Sequence, residues 1–334
     1  MPDFSAAADE ARAALPPAFV ERLDLVVPPD YLDETLASFV QTGRVGLRAN
    51  GLRTDAGALY DELRAVGLDV ARSAVPDALL VPMEQRAALM ETPAYAEGRA
   101  YLQNVASQLP PHVLAPEPGD RVLDLCAAPG SKTGQLAAMV GEEGEVTAVE
   151  VVRKRYYKLR ANLEEQGADG PVHAVNGDGT QFWRREPESY DRVLLDAPCS
   201  TEGRFRADTP ETFRYWSPRK VKEMRQKQRK LLFGAVQALR PGGTLVYATC
   251  TFEPAENEDV LAKALRQFKD AIELVPLDLP ASTDALRWQA PLQEWNGRAF
   301  PDALAPARRL LPEPERGTEA FFVAKLVKHA STLR

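Results

Sequence analysis

Strand-like and helix-like segments alternate from Asp120 to the end of the chain. Apolar strands are predicted for DRVLDL, GEVTAVE, PVHAVNGD, YDRVLLDAP and GTLVYATC, and helices for SKTGQLAAMVG, RKRYYKLRANLEEQG and RKVKEMRQKQRKLLFGAVQAL. Apolar strands joined by helices are typical of a parallel sheet that is covered on both faces. The sequence therefore predicts a doubly wound, mostly parallel α/β domain over residues 96–334.

A smaller α/β unit is predicted before this domain, over residues 1–95. Short helices are expected from about Pro16 to Phe39, followed by a strand, a helix from about Asp55 to Val66 and further short strands. The 334 residues exceed the usual size of one compact domain, which agrees with a large domain and a small one. The Pro-rich stretch from Pro276 to Pro314 is predicted to form an excursion at the sheet edge.

Composition and charge narrow the class of protein. With 45% hydrophobic and 27% charged residues, and no apolar run that could span a bilayer, we expect a cytoplasmic protein without a membrane partner. The cysteines are few and far apart, and the histidines are scattered, so we expect neither a disulfide framework nor a metal site. A net charge of −7 argues against binding nucleic acid through the overall field, although the segment from Arg204 to Lys230 is basic.

The segment VLDLCAAPGSKTGQLA runs from an apolar strand through a glycine-containing loop into a helix. This arrangement holds an adenosyl or nucleotide ligand at the carboxyl end of a strand, because Gly130 lets ligand and backbone approach closely. The loop lacks the GxGxxG and GxxxxGK[ST] patterns, which disfavours dinucleotide and ATP binding. A plain tight turn is the alternative, and packing alone would account for Cys126 beside Ala127 and Ala128.

Acidic residues stand at the ends of three consecutive predicted strands, namely Glu150, Asp178 and Asp196. The carboxyl ends of parallel strands share one edge of a sheet, so these acids form a constellation that solvation alone does not predict. Glu150 is placed to accept hydrogen bonds from ribose hydroxyls. Arg155, one turn into the following helix, is either an orienting partner of Glu150 or an exposed arginine.

Two cysteines follow strands at the same edge, Cys199 after Pro198 and Cys250 after Thr249. Carbon 5 of cytosine is a poor nucleophile until a thiolate adds at carbon 6 and turns it into an enamine carbon that can attack a sulfonium methyl group. Asp196 is placed to stabilise the adduct at N3, and the remaining thiol can assist elimination. The alternative is that each cysteine is a small buried hydrophobic residue.

These motifs resemble the signature loops of the Nop/Sun family of RNA (cytosine-5)-methyltransferases. The resemblance rests on CAAPGSK at 126–132, DAPCS at 196–200 and YATC followed by ENE at 247–258, and covers about residues 90–334, with a weaker match in RANGLR. It implies a Rossmann-like, S-adenosylmethionine-dependent domain in which Cys250 attacks the base and Cys199 assists its release. The family's cofactor contacts map onto Cys126, Ala127, Ala128, Pro129, Gly130, Ser131, Lys132, Glu150, Arg155, Asp178 and Asp196.

The resemblance also implies a substrate, methylation of a cytosine in structured RNA. We expect ribosomal RNA first, because the family's bacterial members mostly act there, and transfer RNA second, with an RNA-binding module at residues 1–95 and a monomeric protein. A non-catalytic RNA-binding assembly factor is the rival from another class, although every loop residue needed for chemistry is present. A methyltransferase acting on an amine would show an NPPY-like loop where this chain has DAPC.

The loop after Cys199 departs from the family pattern, and the segment that follows it is a candidate for RNA binding. The family's loop commonly reads CSG, whereas this chain has Thr201 and Glu202 after Cys199 and Ser200, which puts substrate preference in doubt. In the Arg204–Arg206 loop and the following helix, basic residues are expected to hold phosphates. The interleaved aromatic residues are expected to stack on bases, although the charges of the helix also fit a solvated face. These aromatic residues are Phe205, Phe213, Tyr215 and Trp216.

Overall fold

The structure is a computed structural model that describes residues 4–333. The helices are Ser5–Ala14 (α1), Pro17–Val26 (α2), Pro29–Ala37 (α3), Ala56–Ala65 (α4), Arg86–Met90 (α5), Pro93–Ala96 (α6), Val105–Leu114 (α7), Ser131–Val140 (α8), Arg153–Gln166 (α9), Pro218–Ala238 (α10) and Glu258–Phe268 (α11). The strands are Arg44–Ala49 (β1), Ala71–Arg72 (β2), Ala78–Pro82 (β3), Ala100–Leu102 (β4), Arg121–Asp124 (β5), Glu145–Glu150 (β6), Val172–Asn176 (β7), Tyr190–Asp196 (β8), Leu239–Thr249 (β9), Ile272–Val275 (β10), Trp288–Gln289 (β11), Glu294–Trp295 (β12), Arg298–Ala299 (β13), Arg308–Leu310 (β14) and Phe321–Lys328 (β15).

The large sheet has the strand order β11-β14-β15-β9-β8-β5-β6-β7, and β10 pairs with the second half of β15. Strands β5 to β9 run parallel, and β15 is antiparallel to β9. The chain order reverses between β5 and β8, so the loops after these two strands lead away in opposite directions and leave a crevice between them. The predicted doubly wound, mostly parallel α/β domain is confirmed.

Apolar side chains alternate between the two faces of the sheet, as strand geometry requires. Leu195 of β8 packs with Leu231 of α10 and Val260 of α11, whereas its neighbour Leu194 packs with Leu136 of α8 on the other face. The long helix α10 buries Val221, Met224, Leu231 and Leu232. This is the core-facing stripe that its sequence spacing predicts.

The small unit is an antiparallel sheet with the order β2-β3-β1-β4. Asp55 begins its helix α4, where the carboxylate accepts hydrogen bonds from the backbone of Gly57 and Ala58. Residues 47–49 of β1 pair with β4. The small sheet therefore extends to Leu102, beyond residue 95, where the sequence predicts the end of this unit.

The first helices pack against the large domain. The ring of Phe19 on α2 lies 4.9 Å from that of Phe205, 5.8 Å from that of Trp216 and 6.4 Å from that of Phe252. Phe39, after α3, completes this aromatic cluster. Because Phe205 follows β8 and Phe252 follows β9, the N-terminal helices cover the loops that carry the two candidate cysteines.

The Pro-rich stretch from Pro276 to Pro314 holds the strands β11 to β14. Strand β14 pairs with the first half of β15, and β11 pairs with β14, so this stretch extends the edge of the large sheet. Strands β12 and β13 form a separate hairpin. Within residues 4–333, no helix has the length and apolar character needed to cross a membrane.

Removing the ring of Phe19 should destabilise the protein strongly, because that side chain is 1% exposed and fills the centre of the aromatic cluster. We expect Phe19→Ala to lower the free energy of unfolding by about 3–5 kcal/mol in urea denaturation. Leu25 on the same helix is 70% exposed, so Leu25→Ala should change it by less than about 0.5 kcal/mol. Equal effects of the two variants would contradict the packing role of Phe19.

Candidate active site

A cavity of about 380 Å³ opens in the crevice at the carboxyl ends of the parallel strands. It is lined by both candidate catalytic cysteines, and Gly130 is absent from its lining among the described residues. The sequence-predicted site residues that line it are Cys126, Ala127, Ala128, Pro129, Ser131, Lys132, Glu150, Arg155, Asp178, Asp196, Cys199 and Cys250. One cavity thus brings together the candidate cofactor loop and the candidate catalytic groups.

Gly130 shapes the path of the loop that lines this cavity. Its φ of 107° lies in a region that side chains rarely adopt, and a Cβ there would lie 3.0 Å from Leu159 of α9. The glycine therefore lets the chain turn into α8 against the neighbouring helix. Cys126 in the same loop packs against the core of the sheet, and burial raises the pKa of its thiol, which keeps that thiol neutral.

Glu150 and Arg155 form an ion pair at the rim of the cavity. The Glu150 side chain is buried; its Oε2 lies 3.2 Å from Arg155 Nη1, and its Oε1 accepts a hydrogen bond of 2.7 Å from the backbone of Val152. Arg155 also donates to the carbonyl oxygen of Ala128 at 2.6 Å. The arginine thus ties the acid at the end of β6 to the loop after β5. Asp178 is exposed, and its carboxylate accepts two hydrogen bonds from Thr180.

Asp124, which sequence reasoning missed, is the last residue of β5 and lines the cavity. It is 1% exposed; its Oδ2 accepts a hydrogen bond of 2.7 Å from Thr133, and its Oδ1 makes none within residues 4–333. Burial raises the pKa of this carboxyl to about 6. A buried acceptor without a donor indicates a place for a ligand's N–H or O–H. In the sequence, the signal that could have identified Asp124 is an acidic residue inside an apolar strand.

Lys132 and Asp196 meet across the cavity. The Lys132 ammonium donates to Asp196 Oδ2 at 2.7 Å and to the hydroxyl of Ser107 at 2.6 Å. Its side chain is 6% exposed, whereas that of Asp196 is 29% exposed. The buried cation therefore fixes the carboxylate, while part of Asp196 still faces the cavity. Ser107, on α7, carried no sequence signal.

The sulfur atoms of Cys199 and Cys250 lie 3.4 Å apart. A hydrogen bond from the Cys199 thiol, together with the charge of Arg204, lowers the pKa of Cys250. The same hydrogen bond and burial raise the pKa of Cys199. These opposite shifts favour Cys250 over Cys199 as the thiol that loses its proton first.

Thr201 and Glu202, the departures from the family pattern, lie in the loop after Cys199. Thr201 has a φ of 58°, a left-handed conformation that is rare for a β-branched residue. The buried carboxylate of Glu202 accepts hydrogen bonds from the Thr251 hydroxyl (2.6 Å), the Phe252 backbone (3.1 Å) and the Trp216 indole (2.8 Å). Burial raises its pKa to about 7. Glu202 thus joins the two cysteine loops to each other.

Glu256, the first acid of ENE, is buried behind the same loops. Its Oε2 accepts hydrogen bonds from the backbone of Ser200 at 3.0 Å and from the amide of Gln228 at 2.7 Å. Burial, followed by the charge of Glu202, raises its pKa to about 8. Asn257 accepts a hydrogen bond from Thr249 at 2.6 Å, which fixes the loop that carries Cys250.

The structure corrects the expected RNA-binding role of several residues after Cys199. Arg206 donates to the carbonyl oxygens of residues 38, 40 and 41, at 3.2, 2.8 and 2.6 Å, because the chain leaving α3 needs donors there. Phe205 is buried, and Phe213 and Trp216 pack partly buried against the same aromatic cluster. Tyr215, by contrast, is 76% exposed.

Three basic residues of the segment from Arg204 to Lys230 are paired with acids on helices α10 and α11. Arg225 and Arg229 both lie within ion-pair distance of Asp259, and Lys220 pairs with Glu223. The exposed basic residues of this segment are Arg204, Arg214, Arg219, Lys222 and Lys230. The charged face that remains is therefore narrower than the sequence predicts.

A family model described as 16S rRNA methyltransferase RsmB/F matches residues 111–327. The chain belongs to this family. The RsmB/F match covers the loops of Cys126, Cys199 and Cys250 described above. It confirms the predicted membership of the Nop/Sun group of RNA (cytosine-5)-methyltransferases.

Curated relatives of this RsmB/F chain include enzymes named for two classes of RNA. The tRNA (cytosine(49)-C(5))-methyltransferase of Pyrococcus abyssi is 40% identical over 70% of this chain and 72% of its own length. Ribosomal RNA small subunit methyltransferase F of Serratia proteamaculans is 35% identical over 95% of this chain. The chain spans 64% of the length of that Serratia protein.

Solved structures agree with the fold. A methyltransferase homolog protein from Pyrococcus horikoshii has a TM-score of 0.80 at 28% identity, and the match covers 97% of this chain and 99% of that one. The structure of NSun6 from Pyrococcus horikoshii with SFG has a TM-score of 0.79 at 20% identity, covering 96% and 100%. The Rossmann-like methyltransferase fold of the large domain is confirmed, and the match also covers the small unit.

The raised pKa of Glu256 predicts a pH-dependent stability. The pKa of a glutamate is ordinarily 4.5, whereas that of Glu256 in the folded protein is about 8. Between these pH values, the folded protein retains a proton on Glu256 that the unfolded chain releases. The free energy of unfolding should therefore fall as pH rises through this window, by at most about 1.4 kcal/mol per pH unit from this group.

Glu256→Gln should reduce this slope in urea denaturation measured from pH 5 to 8, since the amide does not titrate. Glu164→Gln, at an exposed position of α9, should keep the slope of the unmodified protein. If the stability of the Glu256→Gln protein fell just as steeply with pH, the assignment of a buried, protonated Glu256 would be wrong.

Proposed function

We propose that this RsmB/F family protein transfers the methyl group of S-adenosylmethionine to carbon 5 of a cytosine in structured RNA, through a covalent adduct of Cys250 at carbon 6. The observation that carries the proposal is the pair of sulfurs 3.4 Å apart in the cavity that Asp196 also lines, where the pKa of Cys250 is lowered and that of Cys199 is raised. A buried cysteine that only fills space has no need of a cationic neighbour such as Arg204.

The cavity fits S-adenosylmethionine through the chemistry of its lining. The cofactor supplies an electrophilic methyl group when it is bound. Glu150, held by Arg155, is assigned to the ribose hydroxyls, and the free acceptor of Asp124 to an N–H group of the ligand. Asp178 and the backbone of the loop from Cys126 to Lys132 complete the proposed cofactor site.

The chain's own groups account for each step on the base. The Cys250 thiolate forms a bond to carbon 6, and the electron pair of the 5,6 double bond moves onto carbon 5. Carbon 5 would then take the methyl group from the sulfonium sulfur, which would keep the electron pair of the broken carbon–sulfur bond. Asp196, held by the Lys132 ammonium, is assigned to the N3 edge, where it relays a proton from Lys132 to N3 as the adduct forms and returns it as the adduct breaks down. Loss of the carbon-5 proton to solvent then restores the double bond as the bond to Cys250 breaks. The Cys199 thiol hydrogen-bonds to the departing sulfur.

Ribosomal RNA is the proposed substrate, and transfer RNA is the second candidate. The first choice is supported by the relative whose match covers 95% of this chain, which is named for ribosomal RNA. The second is supported by the relative that is 40% identical and named for cytosine 49 of transfer RNA. Bisulfite sequencing of RNA from cells with and without the gene tests both. A protected cytosine that disappears from 16S RNA supports the first, and loss in transfer RNA alone overturns it.

Substitution of the two cysteines should separate their roles. We expect Cys250→Ala to lower methyl transfer by roughly a thousandfold or more while cofactor binding remains measurable by calorimetry. Cys199→Ala should instead accumulate a covalent RNA adduct, visible as a slow band on a denaturing gel. Methyl transfer by the Cys250→Ala protein at the normal rate would contradict the nucleophile assignment, and a missing band would reassign Cys199 to packing.

The pH dependence of methyl transfer should report the charge of Arg204. Because that cation lowers the pKa of Cys250, Arg204→Met should raise it. The acid limb of the rate profile then moves to higher pH, so activity lost at pH 7 returns in more alkaline buffer. Arg214→Met, at an exposed position in the same segment, should leave the profile in place. An unshifted profile for Arg204→Met would remove the arginine from thiolate activation.

A further inference from the structure

A second cavity, of about 270 Å³, lies beside the active site. Three chain segments form most of its wall: residues 38–44, which lead into β1, residues 203–206 after Cys199, and residues 312–319 before β15. Arg204 lines this cavity and the active-site cavity alike. We call it the flanking cleft, because an RNA strand with its target nucleotide at Cys250 would have the neighbouring nucleotide close to this cleft.

Close approach of backbone builds the floor of the flanking cleft. A Cβ on Gly43 would lie 2.0 Å from the carbonyl oxygen of Pro314, and one on Gly203 would lie 2.6 Å from that of Ala320. Gly317 has a φ of 64°. Glycines at these three places let the wall segments meet without side chains between them, so the cleft is a defined feature of the fold.

The arginine side chains of the flanking cleft have more N–H donors than they have acceptors nearby. Arg44 Nη1 is buried and makes no hydrogen bond within the described chain, and Nη2 reaches only Asp69, at 3.4 Å. Arg204 pairs with Glu319 at 3.4 Å, and its side chain is 53% exposed. The Arg44 side chain is 28% exposed, so these two arginines give the cleft accessible guanidinium groups with spare donors, which favours a ligand with anionic oxygen atoms.

We propose that the flanking cleft binds the phosphodiester of the RNA nucleotide next to the target cytosine, with Arg44 as its main contact. The inference rests on the proposed function, since it needs an RNA strand at Cys250. A volume of about 270 Å³ lies below the roughly 300–1,000 Å³ of sites for whole small ligands, which fits one unit of a chain. A base held outside any stack needs its neighbouring backbone fixed, and Arg44 of β1 brings the small domain to this task.

The test measures binding of a fluorescein-labelled uridine heptanucleotide with a single central cytidine to the full chain by anisotropy, from 50 to 200 mM KCl. Arg44→Gln should weaken binding by roughly three- to tenfold and reduce the slope of log K against log salt by about 0.7, the value for one contact to a single strand. Arg64→Gln, at an exposed position of the same domain, should bind like the unmodified protein. Equal affinity and slope for Arg44→Gln and the unmodified protein would overturn the proposal.

Neutral methylphosphonate linkages provide a second measurement that does not depend on the folding of a variant. With the unmodified protein, one such linkage beside the bound cytosine should weaken binding about as much as Arg44→Gln does. The two changes combined should cost little more than either one, whereas additive losses would place Arg44 elsewhere on the strand. Failure of the proposed function is seen separately, as absence of methyl transfer by the unmodified protein, while the Arg44 dependence of binding still stands.

Discussion

The buried carboxylate of Glu202 is the interaction on which the arrangement of the active site depends. It accepts hydrogen bonds from the loop of Cys250, through Thr251 and Phe252, and from Trp216 in the aromatic cluster of the N-terminal helices. A buried carboxylate is tolerated only when such donors surround it, so each loop needs the others in place. The two sulfurs lie 3.4 Å apart within this shared framework, and neither loop could set that distance alone.

Topology explains why much of the site could be predicted from the sequence. Apolar strands with intervening helices specify a parallel sheet, and a parallel sheet gathers its carboxyl ends at one edge. Residues at or just after the ends of strands, such as Glu150, Asp196 and Cys250, are therefore brought together whatever the detailed packing. Both cysteines and the glycine loop lie at a single cavity for this reason.

Other features depend on contacts between segments that are distant in the chain. Aromatic and basic residues alternate around Phe205 and Arg206 as they would on an RNA-binding surface, yet residues from α2 and around α3 bury the ring and engage the guanidinium. Asp124 looks like an ordinary strand residue until the cavity is seen beside it. The sequence likewise does not show that the small sheet continues to Leu102, because β4 is a short strand that is recognised by its pairing with β1.

The docking of the N-terminal helices also sets an order of events during synthesis. Arg22 of α2 and its partner Glu253 are 231 positions apart. At the usual rate of translation, the last of the residues that cover Phe19 are synthesised on the order of tens of seconds after α2. During that time, apolar surface of the first helices lacks its native partner, a situation in which chaperones protect nascent chains. The helices that cover the cysteine loops thus make assembly of the active site a late step in the maturation of the chain.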